Sequence, residues 1–133
     1  MRALAEPELT REQRLALDRA VEQFNRGLYF EAHETLEELW LRLRGEARDF
    51  FQALILVSVG FVHLARGNHT GATRTCTRAL ARFEPYPALY FGFDVAAERE
   101  RLEHLLRALT AGTAPMPGLR PIWRFEGPRS DAP

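Results

Sequence analysis

The run Phe50 to Ala65, FFQALILVSVGFVHLA, constrains the fold more than any other stretch of the chain. It is apolar on every side, interrupted among its non-glycine residues only by Gln52, Ser58 and His63. A membrane span needs about 20 apolar residues, and this run is shorter, carries three polar side chains, and is flanked by Arg48, Asp49 and Arg66. It therefore reads as the central, fully covered helix of a bundle. The remaining segments must supply the cover.

Four further helices are predicted around it. Thr10 followed by Gln13 forms a capping-box pattern, and Leu17, Ala20, Val21 and Phe24 recur at helical spacing up to Gly27. Tyr29 to Leu43 follows as a second helix, stopped by Gly45, with Arg42 and Arg44 in its last turn. After the Gly67-Asn68 turn, Ala72, Cys76, Ala79, Leu80 and Phe83 face inward on a fourth helix, and Arg74, Arg78 and Arg82 face solvent. Glu84-Pro85-Tyr86-Pro87 ends it, the aromatic linker LYFGF lies back on the core, and Asp94 caps a fifth helix from Val95 to about Leu109. Gly27-x4-Ala32 and Gly67-x4-Ala72 repeat at an offset of 40 residues, which implies two antiparallel helix pairs. The predicted fold is all-α, a compact bundle of about five helices made of two helical hairpins plus a closing helix. Residues 1–111 form a single helical domain and residues 112–133, with five of the eight prolines, a Pro-rich C-terminal tail in which Ile122, Trp123 and Phe125 are candidates to dock on the bundle or on a neighbouring subunit.

Composition narrows the function classes. Lys plus Arg equals Asp plus Glu at 18 each, so there is no basic footprint for nucleic acid or an anionic membrane, and neither is expected as a partner. The single cysteine, Cys76, excludes an intramolecular disulfide and a cysteine-cluster zinc site and is expected to be inert packing. With no leader pattern at the N-terminus, a cytoplasmic location is expected. All the basic residues are arginine, so lysine-based covalent chemistry has no residue to carry it.

The candidate site lies on the second helix. Tyr29, Ala32, Leu36, Leu39, Trp40 and Leu43 form one apolar sector, Phe30 and Leu41 a second, and His33 and Glu37 project between them. This placement predicts a nearly buried imidazole and carboxylate. At i, i+4 the two side chains stack on one face and could share one divalent transition metal, but two ligands are too few for a zinc site. In an antiparallel pair turning at Gly45, Glu37 stands level with residue 53 and beside Gln52, a predicted hydrogen-bond partner. His63 falls about 9 Å beyond the level of His33, a poor co-ligand. Glu34 points about 100° away from His33, toward solvent. Arg48 and Asp49 could extend the network. Glu100 and His104 repeat the i, i+4 pattern on an exposed face.

His33-x3-Glu37-x2-Trp40, preceded by Tyr29-Phe30-Glu31-Ala32 and followed by Arg48, Phe51-Gln52 and Gly67-Asn68-x2-Gly71-Ala72, resembles the bacterial and archaeal family known as domain of unknown function 309. The resemblance runs from Phe24 to Leu80 and carries the motif without departure. It implies an all-helical fold and a suggested metal-binding role for the motif, with no substrate and no reaction. The expected function is a helical domain whose His33 and Glu37 bind a metal ion or a small polar ligand, with Glu34, Trp40, Gln52 and His63 around them; were a metal held with an open position, hydrolysis would be the easiest chemistry. The alternative is a non-enzymatic module that binds another protein, the polar cluster being purely structural. Oligomeric state and enzymatic activity are not readable from these residues.

Overall fold

Thr10 ends the lead-in. Its hydroxyl accepts from the Gln13 amide at 3.0 Å, and the Gln13 side chain accepts from the Thr10 amide at 2.9 Å, so two otherwise free N–H groups are satisfied at once. From there the computed structural model, which describes residues 4–113 and 121–126, runs through α1 (Arg11–Asn25), α2 (Tyr29–Trp40), α3 (Gly45–Ala65), α4 (His69–Phe83), a hairpin of β1 (Leu89–Tyr90) and β2 (Phe93–Asp94), and α5 (Val95–Ala111). The fold is all-α apart from that hairpin. Each helix packs on the next: α1 on α2, α2 on α3, α3 on α4, α4 on α5.

The repeated Gly-x4-Ala unit has one geometry. Arg26, Gly27 and Leu28 close α1 with a Gly27 N–H to Phe24 carbonyl bond of 2.9 Å and a Leu28 N–H to Gln23 carbonyl bond of 2.8 Å. Gly67 and Asn68 close α3 with the equivalent bonds, to Leu64 at 3.1 Å and to His63 at 2.8 Å. Both are Schellman turns, which need a left-handed residue at the glycine, and φ is +83° at Gly27 and +74° at Gly67. Ala32 and Ala72 then lie fully buried one turn into the following helix, each donating its amide to the residue four back.

Two boundaries differ from expectation. α2 stops at Trp40, because Arg42 and Leu43 bond three residues back, to Leu39 and Trp40, and tighten the chain out of the helix. Arg42 and Arg44 thus lie outside its last turn. α3 starts at Gly45, where φ is +63°, and is 21 residues long rather than 16. That length suffices to cross a membrane. Its surroundings account for the apolar run instead: α2 and α4 flank it, and Phe50, Phe51, Ala53, Leu54, Val57, Ser58 and Gly60 are buried on several faces.

Small residues set how closely α4 approaches. A Cβ on Gly60 would lie 2.5 Å from the Cys76 sulfur, and Cys76 is itself fully buried, with burial pushing its thiol pKa up to about 12. Gly60→Ala is expected to destabilise the fold by about 1–3 kcal/mol through overpacking. Adding Cys76→Ala should restore most of the loss in thermal melts. An unchanged melting temperature for Gly60→Ala alone would mean that α3 and α4 stand further apart.

At the far end of α3, Phe50 is the hub of an aromatic cluster with Phe83, Tyr86, Tyr90, Phe93 and Phe125 at centroid distances of 4.9–6.3 Å. The LYFGF linker does fold back, as the hairpin: Phe91 and Gly92 at its tip both have positive φ, the geometry that matches strand twist in a two-residue turn. Tyr86 and Tyr90 reach through the cluster to the carbonyls of Glu46 and Ala5, and burial pushes the Tyr90 hydroxyl up to about 12, so it stays a donor.

Candidate functional site

Ala32, Thr35, Leu36 and Leu39 commit one face of α2 to the core, and His33 falls at the edge of that face. Its side chain is 17% exposed, whereas the Glu37 side chain is 52% exposed. The expectation of a nearly buried pair therefore holds for the imidazole and fails for the carboxylate. The reason is the second apolar sector, Phe30 and Leu41, which is only partly covered: the His33 ring lies 4.9 Å and the Arg66 guanidinium 6.0 Å from the Phe30 ring, and the two side chains remain 46% and 69% exposed. With that cover incomplete, Glu37 stands in solvent.

Hydrogen bonding fixes the ring. His33 Nδ1 lies 2.6 Å from the Phe30 carbonyl oxygen, and a carbonyl can only accept, so Nδ1 carries the proton. In the neutral ring Nε2 is then a bare acceptor. It faces Glu37 Oε1 at 3.5 Å, longer than a good hydrogen bond, and a carboxylate is an acceptor too. Two acceptors aimed at each other leave a gap suited to something positive: a shared proton, a donor on a ligand, or a cation.

The other expected members are spread around the pair. Glu34 is exposed, as expected. Gln52 is half-buried but makes no hydrogen bond to Glu37; with Glu37 solvated, no buried charge requires its amide. Trp40 is half-buried with its indole N–H enclosed and without a partner among the described residues, and the Arg48 guanidinium lies over its ring at 4.1 Å. Arg48 thus extends the motif by stacking, while Asp49 turns away to Arg82 at 3.9 Å. His63 Nδ1 lies 3.2 Å from the Asn68 amide nitrogen at the end of α3 and does not join His33. Glu100 and His104 are exposed on α5.

Among the described residues no group of three or more His, Cys, Asp or Glu side chains could hold a metal ion. Since catalytic zinc takes three protein ligands and structural zinc four, His33 and Glu37 alone do not fit a resident metal.

Among the described residues the most buried carboxyl group lies elsewhere. Glu98, 2% exposed on α5, accepts from the Trp123 indole N–H at 2.9 Å and from Arg101. Burial raises its pKa, and the Arg101 charge and the two hydrogen bonds offset part of that rise. Trp123 is stacked on Phe24 at a centroid distance of 3.6 Å, and its backbone is bonded on both sides to the Asn25 amide, at 2.7 and 2.9 Å. Of the expected docking residues, Trp123 and Phe125 pack on the bundle and Ile122 remains 48% exposed. The spacing Val95, Glu98, Leu102, Leu105 places Glu98 in the inward stripe, a signal present in the sequence and not read there.

A family model described as a domain of unknown function, DUF309, matches residues 17–75. The matched stretch holds all of α2 and α3, with His33, Glu37 and Trp40, and excludes Glu98 and Trp123. No curated protein matches the chain.

Proposed function

From the premise that residues 17–75 belong to the DUF309 family, we propose that the domain binds a small polar ligand bearing a positive or hydrogen-bond-donating group between His33 Nε2 and the Glu37 carboxylate. The observation that carries this reading is the 2.6 Å contact of His33 Nδ1 with the Phe30 carbonyl, which orients the ring and leaves Nε2 facing Glu37. The charge of α2 supports it: Glu31, Glu34, Glu37 and Glu38 are all exposed and no arginine lies between Tyr29 and Trp40. A divalent cation enters on the same terms, its further ligands coming from water or from the molecule it accompanies.

A second reading is a protein-binding module. Phe30, Glu34, Glu37 and Leu41 follow one another along a single stripe of the α2 segment, so a carboxylate sits between two exposed apolar side chains. A partner presenting a cation between apolar groups would meet both.

The two separate in one titration. Binding of zinc, manganese and an alkylguanidinium is followed by the NMR signals of the His33 ring, in wild type and in Glu37→Gln. Because Glu37 is half-exposed, Glu37→Gln should change stability by no more than about 0.5 kcal/mol and weaken binding at least about tenfold. A variant that binds as wild type does would sink the ligand reading. Wild-type protein that binds none of the probes favours the protein-binding one.

A further inference from the structure

A cleft lies among residues outside the stretch matched by the family model. Its volume is about 390 Å³, within the range of small-molecule sites. None of its lining residues lies on α2 or α3, so it is independent of His33 and Glu37.

Two of the large exposed apolar side chains, Leu89 at 65% and Ile122 at 48%, line this cleft, together with buried Phe93. Arg101 lines it as well. Only one of its amino groups is bonded among the described residues, to Glu98, and a guanidinium carries five N–H donors. Glu98 is in turn held by the Trp123 indole, so the guanidinium is fixed by a carboxylate that solvent does not reach. Asp94 and Glu126 supply negative charge at the lining: Asp94 gives one oxygen to the Ala97 amide, and Glu126 lies 3.4 Å from Arg124. Apolar walls, a positioned guanidinium and carboxylates thus converge on one space.

The geometry points to a site for a small zwitterion with an apolar side chain, of the α-amino acid type. Its carboxylate meets the unbonded edge of Arg101, its ammonium the Asp94 and Glu126 carboxylates, and its side chain Leu89, Ile122 and Phe93. A purely anionic ligand would face the exposed Asp94 and Glu126 carboxylates as well as the two guanidinium groups; a zwitterion satisfies both signs.

The test uses the full chain and three probes: L-leucine, leucinamide, which lacks the carboxylate, and 4-methylpentanoate, which lacks the ammonium. Binding is read from the NMR signals of the Trp123 indole N–H and the Ala97 amide. Leucine is expected to give a saturable shift, and each analogue to bind at least about tenfold more weakly through loss of one charge-assisted contact. Arg101→Gln should abolish the leucine response. Since Arg101 also pairs with Glu98, Leu89→Asp at the exposed wall, which removes no buried contact, provides a second variant whose fold is checked by its circular dichroism, and it too should abolish the response. No saturable shift up to about 10 mM leucine, analogues that bind as well as leucine, or a wild-type response in Leu89→Asp would overturn the assignment.

Discussion

Trp123→Ala is expected to cost about 3–5 kcal/mol, among the largest effects of any single substitution in this fold. The indole is 1% exposed, lies parallel to the Phe24 ring at an interplanar angle of 2°, meets Phe93 edge-on at 6.4 Å, and donates to Glu98. Truncation removes that packing, opens a cavity between α1 and α5, and leaves the Glu98 carboxylate short of a donor. Against a typical stability of about 5–15 kcal/mol, the variant should melt on the order of 10–20 °C lower. Trp123→Phe separates the contributions: it keeps the stacked ring and loses the N–H, at about 1–2 kcal/mol. Urea unfolding followed by far-UV circular dichroism is the suitable measurement, because fluorescence would lose one of the two tryptophans along with the interaction. A loss under about 1 kcal/mol for Trp123→Ala would mean that residues 121–126 do not hold this position in solution.

The aromatic residues in the tail pointed to docking, since an unattached proline-rich segment has little reason to carry them. Their partners were out of reach: Asn25 and Trp123 meet across 98 residues, and periodicity assigns a residue to a face without naming what covers the face. Helix starts were readable at the side-chain caps Thr10 and Asp94, and helix ends at the left-handed Gly27 and Gly67, whereas the left-handed Gly112 that carries α5 on to Ala111 was not read. The α2–α3 junction has no such side chain. Arg44 caps nothing, and the polar residues Glu46, Arg48 and Asp49 masked the fact that Ala47, Phe50, Phe51 and Leu54 already share a helical stripe. The His33–Glu37 pair was visible from its i, i+4 spacing, but its exposure depends on whether Phe30 and Leu41 are covered, which is a tertiary property.

Glu98 carries the other large effect, and its sign depends on pH. Glu98→Ala should cost about 2–4 kcal/mol, since the Trp123 indole N–H is left buried without an acceptor and Arg101, 30% exposed, is left to find solvent. Glu98→Gln keeps an oxygen for the indole and removes the charge that burial penalises, so it should fall within about 1 kcal/mol of wild type near neutral pH. Burial raises the folded pKa above the ordinary carboxyl value of 4.5, so the folded protein holds this proton to higher pH than the unfolded chain does. The resulting stability is fully present below 4.5 and is lost as pH rises through the folded value. Wild type should therefore lose stability relative to Glu98→Gln as pH rises from the acid side, the reverse of an ordinary ion-paired surface carboxylate. Urea midpoints for the two proteins across a pH series measure this difference directly, because the other carboxylates titrate alike in both and cancel. If wild type instead gains on Glu98→Gln with rising pH, the Arg101 pair outweighs the desolvation of Glu98, and the carboxylate is held ionised by its partner rather than pressed toward neutrality by its burial.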